Sequence, residues 1–414
     1  MKTSYLLLTV FFAFTLFTGK AQMQARPLKP VTTAQWEEDI DYFAKKLVSK
    51  HANAFNFTTG EKFNKAIADL KKDLPNLKDY QVVVRLLQIT SSIGDGHTGV
   101  HLPSNLSHYP IVGFWFGKDL YVTRTTVPYK HLLGKKLVAI DGHSLDEINQ
   151  KMANVITSNE NDWFVMSVSG QFLGVPEILQ TLGIVSSLEK AKFSFVDDEN
   201  KETTMDLNSF VPDGNKQWVS AVNEEPLFRQ RTNEKFWFTF LDDINAVYVN
   251  FKSYDELAKN VNKLFDFIEE KNADRLIIDL RQNGGGDFTK VRRQLIPRIQ
   301  KNSRLNQKEN LFVITGRRTF SAAMVNSIDF KKNTNATIIG EPPGEKPNSY
   351  SENDEMELPH SGLIISYSTK YYKFLDKDVP AFEPDIRADP NWKDFAAGVD
   401  PAMQKISAML QQKR

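Results

Sequence analysis

Two residues whose types can carry acyl transfer stand out along this chain: Ser321 and His97. Ser321 lies in Thr319-Phe320-Ser321-Ala322-Ala323-Met324, directly after the apolar run Leu311 to Thr315 and Gly316-Arg317-Arg318. A helical pattern begins at Ala322. A serine on a tight strand-to-helix turn stands clear of the sheet, and the N–H of the next residue points at whatever the serine attacks. Ser is also a preferred helix cap, so the same stretch can be read as purely structural. His97 sits in Asp95-Gly96-His97-Thr98-Gly99, where flanking glycines suggest an irregular backbone that presents the ring. A lone loop histidine is more often simply exposed.

A second loop could serve the same chemistry. The strand-like Arg275-Leu276-Ile277-Ile278-Asp279-Leu280 runs into Arg281-Gln282-Asn283-Gly284-Gly285-Gly286. Glycines at the C-terminal end of a parallel strand let backbone N–H groups approach a ligand, and that end is where such sheets bind. Neither Gly-Lys-Ser/Thr nor Gly-x-Gly-x-x-Gly is present, so a phosphate loop fits less well than an oxyanion site. Gly284, Gly285 and the N–H of Ala322 are its candidate donors.

The elements that must position these groups follow from periodicity. Trp36, Ile40, Phe43 and Leu47, then Phe63, Ile67 and Leu70, then Val82, Leu86, Ile89 and Ile93 mark three helices, with Thr33 and Asp79 as candidate caps. Together they predict a helical N-terminal unit over 30–108. From Tyr109 the pattern turns to β: Ile111 to Phe116, Leu120 to Thr123, a strand ending at Asp141-Gly142, and a hairpin of Lys192 to Val196 with Thr203 to Leu207. After a polar connector at 209–234, strands at Phe236 to Phe240 and Ala246 to Phe251 lead to a helix burying Leu257, Val261, Leu264, Phe265 and Ile268. Strand, helix and strand in that order predict parallel βαβ units, repeated through Leu311 to Thr315 and Ala336 to Gly340. A strand at Leu363 to Ser368 and a helix from Pro401 complete the layer. The expected class is multidomain α/β and α+β.

Composition narrows the function. The 414 residues carry 52 basic and 51 acidic side chains, a formal net charge of +1, so no strong field recruits nucleic acid or an anionic membrane. There is no cysteine, which excludes disulfides, thiol catalysis and thiolate metal sites. No His or carboxylate cluster has ligand spacing, so neither metal nor organic cofactor is implied. Lys2, the apolar run Leu6 to Phe17 and Gly19-Lys20-Ala21 describe a secretory signal peptide over 1–21. The run is shorter than the ~20 residues of a spanning helix. An exported, periplasmic or secreted protein with no integral segment in the mature chain is expected.

Two resemblances sharpen this reading. Residues 109–208, through Gly134-Lys135-Lys136-Leu137-Val138-Ala139-Ile140-Asp141-Gly142, resemble a PDZ domain, a module that adds an extended peptide to a sheet edge. No Gly-Leu-Gly-Phe-type carboxylate loop accompanies them. Residues from Ala246 to about Gln404 resemble the tail-specific, or C-terminal processing, serine peptidases, which are related to the tricorn core protease. The matching pieces are Leu276 to Gly286, Thr319 to Ala323, Gly340-Glu341 through Lys346, Glu383-Pro384-Asp385-Ile386 and Gly398-Val399-Asp400-Pro401.

That resemblance implies a crotonase-like catalytic domain over 209–414, protein or peptide substrates and Ser321 as nucleophile. It implies Lys346 as general base, although Pro343 stands where threonine is usual and Glu345 where a glycine precedes the lysine. The tricorn-like branch implies His97 as base instead, with Glu383 as supporting acid. A histidine needs no tuning to accept a proton at neutral pH, whereas a lysine must be shifted from ~10.4. The competing class is a binding protein for peptides or apolar ligands on the same scaffold, as the retinoid-binding protein of the vertebrate eye illustrates. Oligomeric state is left open.

Overall fold

A computed structural model describes residues 26–157, 160–214, 217–222 and 224–411. The segment expected to be a signal peptide lies outside the described residues. Three helices come first, α1 (Thr33–Lys50), α2 (Gly60–Asp73) and α3 (Asp79–Ser91). Their apolar stripes are the expected ones and are buried. The caps of α1 and α3 fall one residue earlier than expected. Thr32 accepts the Gln35 N–H, and Asp79 is free to accept the Trp36 indole N–H at 2.8 Å.

Next comes a seven-stranded antiparallel sheet, preceded by the short strand β1 (Gly99–Val100). It contains β2 (Ile111–Phe116), β3 (Asp119–Thr126), β4 (Lys136–Ile140), β5 (His143–Ser144), β6 (Lys190–Val196), β7 (Glu202–Asn208) and β8 (Trp218–Ser220). β8 falls inside the polar stretch read as a connector and pairs with β3. Helices α4 (Leu145–Met152), α5 (Asp162–Phe172) and α6 (Pro176–Thr181) lie between β5 and β6. The sequence pattern did not single out α5 or α6. Asn161 caps α5 through Oδ1, and its Nδ2 donates to the carbonyls of Pro343 and Pro380, tying this helix to the far C-terminal segments.

The last large sheet has six strands in the order β16-β13-β12-β11-β10-β9. They are β9 (Phe236–Leu241), β10 (Ala246–Phe251), β11 (Arg275–Asp279), β12 (Leu311–Thr315), β13 (Thr337–Gly340) and β16 (Ile386–Arg387). All but β9 run parallel. β10, β12 and β13 are buried at every position, as strands covered on both faces must be. One face packs Val247, Val249, Leu276 and Ile278 under α7 (Leu257–Glu270), α8 (Phe288–Gln294) and α9 (Ile296–Lys301). α10 (Ala322–Asn333) follows β12. The other face packs Tyr248, Ile277, Phe312 and Ile314 against Ala402 and Ile406 of α12 (Pro401–Gln411), which follows α11 (Trp392–Ala396).

A third sheet joins distant parts of the chain. The hairpin β14 (Asn348–Glu357) and β15 (Ile364–Lys373) adds β1 at its edge, with Gly99 opposite Ser366 and Val100 opposite Ile365. A single apolar cluster accordingly runs from Trp36 through Phe193 and takes in Phe320, Met356 and Tyr367. This pairing brings the His97 loop to the Ser321 turn.

Candidate active site

Ser321 links β12 to α10 with φ 53° and ψ −126°. It does not cap the helix through its side chain. Among the described residues its hydroxyl has no hydrogen-bond partner. A positive φ at a non-glycine residue is strained and persists only where neighbours over-determine it. They do so here. Thr319 Oγ1 donates to the Leu280 carbonyl at 2.9 Å and accepts the Gly316 N–H at 3.0 Å. The Phe320 N–H reaches the Asn283 carbonyl at 3.1 Å, and the Gly344 N–H reaches the Thr319 carbonyl at 3.2 Å. A Cβ on Gly344 would lie 2.3 Å from the Arg317 carbonyl oxygen, so only glycine lets this loop press onto the turn.

Because β11 and β12 are parallel neighbours, the 284–286 glycine loop and the Ser321 turn share one sheet edge. Arg281 anchors the loop with paired bonds to Asp400, 2.9 and 2.7 Å, and with further bonds to Asp279. The Gly285 N–H donates to Asn283 Oδ1 at 2.9 Å. Gly286 adopts φ 146° against Tyr254, where a Cβ would meet the ring at 2.6 Å. Ala322 is the first residue of α10, a position whose N–H has no carbonyl one turn back.

His97 is buried, at 2% exposure, whereas its glycine-flanked loop suggested a presented ring. The difference arises from packing at long range. The ring lies against Phe320, centroids 4.7 Å apart, and Nε2 is 3.3 Å from Ser351 Oγ on β14. Nδ1 lies 3.8 Å from Glu345 Oε1 and has no hydrogen-bond partner. Burial pushes the His97 pKa down to about 4, against the pull of Asp95, so the ring is neutral at pH 7.

Three buried carboxyls surround it. Asp95 accepts from His51 Nε2 and Ser368 Oγ, both at 2.7 Å, and from the His97 N–H at 3.0 Å. Burial opposes its charge, yet His51 and Ser368 hold its pKa below the ordinary carboxylate value. Glu160 accepts the N–H groups of Gly96 and Lys346, at 2.8 and 3.0 Å. Burial nevertheless raises it to about 7. Glu345 accepts the Ser321 N–H through Oε2 and the Ser349 hydroxyl through Oε1 at 3.0 Å. Burial, then the charge of Glu160, push its pKa well above the usual carboxylate range.

The structure therefore brings Ser321, His97, Ala322 and the 283–286 loop into one region and adds two carboxyls that sequence reasoning missed. Glu345 left a trace, since its place beside Lys346 was anomalous. Glu160 left none. Lys346 is held through its backbone, and its ammonium lies 5.8 Å from the centroid of the Phe57 ring. Glu383 is exposed and pairs with Arg387 at 3.1 Å.

Residues 245–388 match Peptidase family S41. The segment holding the parallel sheet, the glycine loop and Ser321 is thus a serine-type peptidase segment, and the resemblance read from the sequence holds. A match to a peptidase family implies peptide or protein substrates. No curated protein matches the chain. Among solved structures, mature CPAF complexed with lactacystin is similar over 92% of this chain and 98% of its own, at 10% identity and a TM-score of 0.60. Mature CPAF itself is similar over 91% and 96%, at 11% identity and 0.60. The photosystem II D1 C-terminal processing protease covers 92% and 98%, at 13% identity and 0.44. At these identities the CPAF likeness is one of fold: a mixed α/β protein of several sheets. Among the described residues no helix is long and apolar enough to cross a membrane.

Proposed function

We propose that this chain, whose residues 245–388 are a Peptidase family S41 segment, is an exported serine endopeptidase acting through an acyl-enzyme on Ser321. The observation that carries the reading is the strained Ser321 backbone between β12 and α10, the local geometry of a nucleophile turn. Ser321 Oγ attacks the scissile carbonyl. His97, already neutral, takes the hydroxyl proton and returns it to the leaving amine. The N–H groups of Ala322 and Gly284 serve the charge that develops on the carbonyl oxygen, whereas the Gly285 N–H, also expected as a donor, is taken by Asn283 Oδ1. Water then reverses the sequence and frees the acid product.

Glu345 takes the supporting place expected of Glu383, because its carboxyl accepts the Ser321 N–H and is 3.8 Å from His97 Nδ1, a gap that closes when the two bond. Lys346 orients Glu160 through its backbone rather than acting as base. The Ser321–His97 hydrogen bond is not made in this resting arrangement, and such bonds commonly tighten only with substrate. The remaining assignments complete the reading: signal peptide 1–21, helical unit 30–108, PDZ-like peptide-binding module 109–208 and crotonase-like catalytic domain 209–414.

Intact mass after exposure to a fluorophosphonate tests the nucleophile. One adduct is expected in the mature protein and none in Ser321→Ala. The alternative, a non-catalytic binding protein for peptides or apolar ligands, draws on that unmade hydrogen bond. It requires no adduct in either protein, even with peptide present.

A further inference from the structure

Asp95, two residues ahead of His97, is a buried carboxylate that takes no direct part in acylation. Its side chain is 2% exposed and that of His51 is 0% exposed, and Oδ2 lies 2.7 Å from His51 Nε2. The protonation state of His51 follows from its other nitrogen. Nδ1 accepts the Asn53 N–H at 2.9 Å and so carries no proton, which leaves the ring hydrogen on Nε2, donated to Asp95. His51 is therefore a neutral donor of fixed tautomer rather than a cation. The other oxygen, Oδ1, accepts the His97 N–H at 3.0 Å and the Ser368 hydroxyl at 2.7 Å. With both oxygens facing N–H groups Asp95 is held as an anion, and among the described residues no Lys or Arg side chain pairs with it.

Three segments meet on this carboxylate: the end of α1 through His51, the His97 loop, and β15 through Ser368. As scaffolding alone it is costly. A buried anion without a cationic partner carries a desolvation penalty that a neutral hydrogen-bonding residue would avoid while joining the same segments. Its charge, however, acts where the reaction needs it. Burial lowers the proton affinity of the His97 ring, and the charge of Asp95 works against that lowering. In a low-dielectric site such an attraction is far stronger than in water. Of the other carboxyls around the ring, Glu345 sits 3.8 Å from Nδ1 and Glu160 holds the Gly96 N–H, and burial raises the pKa of both. Asp95 alone of the three has its pKa lowered: burial opposes its charge, and the His51 and Ser368 bonds outweigh it.

We propose that Asp95, kept anionic by the neutral His51, is a positioning residue for the base. Its bond to the His97 N–H sets the loop, and its charge stabilises the imidazolium that forms when His97 takes the Ser321 proton. That His97 takes this proton rests on the peptidase reading. Asn in place of Asp95 can still accept the His97 N–H, but its amide N–H groups would oppose His51 Nε2–H. The ring cannot switch tautomer without losing the Asn53 N–H.

The test follows formation of the fluorophosphonate adduct at Ser321 in the full mature chain at pH 7. In Asp95→Asn the limiting rate should fall at least about tenfold, with the reagent concentration that gives half of it unchanged. His51→Leu should act in the same way, and His51→Gln, which can still offer an N–H to Asp95, should restore most of the rate. A second readout needs no reaction: nitrogen NMR of histidine-labelled protein. In the wild type, His51 should carry a proton on Nε2 alone. In Asp95→Asn the protonated fraction of His97 at pH 4 should fall from about a half to about a tenth. A doubly protonated His51 at pH 7 would cancel the charge and overturns the inference, whether or not the variants fold. Wild-type rates with an unmoved His97 in folded Asp95→Asn or His51→Leu overturn it as well. A protein that forms the Ser321 adduct at the same rate in those folded variants refutes this inference alone. One with the His97 shift but no adduct refutes the peptidase reading alone.

Discussion

Ser321 and His97 are linked through Phe320 and Glu345 in the candidate site but are held by different means. Ser321 is fixed by its own neighbourhood: β12, the turn, α10 and the adjacent end of β11. His97 is fixed by residues from remote segments: Glu160 on its loop, Phe320 and Glu345 on its ring, Ser351 on β14, and Ser368 on β15 through Asp95. The serine side is a property of one βαβ unit. The histidine side exists only when the N-terminal helices, α5 and the β14–β15 hairpin have docked. A nucleophile built locally and a base assembled at long range make a site whose competence is coupled to the association of its parts.

Perturbing the junction should have the largest effect. Gly344→Ala sets a Cβ 2.3 Å from the Arg317 carbonyl, a backbone clash that no side-chain rotation relieves. A loss of more than about 3 kcal/mol in urea unfolding is expected, together with loss of Ser321 acylation.

The histidine side is sharpened next by pH. The Glu160 pKa in the folded state is raised from 4.5 to about 7. The folded protein therefore binds the proton more tightly, and the stability this confers is complete below about pH 4.5 and lost as pH rises through 7. Glu160→Gln should remove a pH dependence on the order of 3 kcal/mol between those limits, read as melting temperature against pH. His97 has the opposite sign. Its pKa is depressed to about 4, so its contribution is present above ~6.5 and falls away as pH drops towards 4.

Smaller still is Ser368→Ala, which takes one donor from the buried Asp95. It should cost about 1–3 kcal/mol and slow acylation without touching the Ser321 turn. At the bottom of the scale, Glu383→Gln breaks an exposed ion pair with Arg387 and should change stability by less than about 0.5 kcal/mol. A severe loss of acylation in that variant would return the supporting role to Glu383.

How far the sequence could be read follows the same division. The hydrophobic runs of β10 to β13, the α7 stripe and the turn at Ser321 all express local periodicity, and each is where the pattern places it. β14 is the counter-example. Asn348-Ser349-Tyr350-Ser351-Glu352-Asn353-Asp354-Glu355 carries almost no apolar signal, and the strand forms because it lies at a sheet edge paired to β15. Without β14 and the β1–β15 pairing, nothing in the sequence carries the His97 loop to Ser321 or buries it there. Glu160 is invisible for the same reason, since its partners are backbone N–H groups of Gly96 and Lys346. Glu383 fits a motif by order along the chain, while its exposure depends on contacts that order does not specify.

The most direct test of the central claim, that the remote histidine serves the local serine, is the rate of fluorophosphonate adduct formation at Ser321 in His97→Ala and in Lys346→Ala. The account predicts a loss of about 10³-fold or more in His97→Ala and less than about tenfold in Lys346→Ala, with both variants folded. Wild-type acylation in His97→Ala, with the large loss in Lys346→Ala, would contradict it and make the lysine the base.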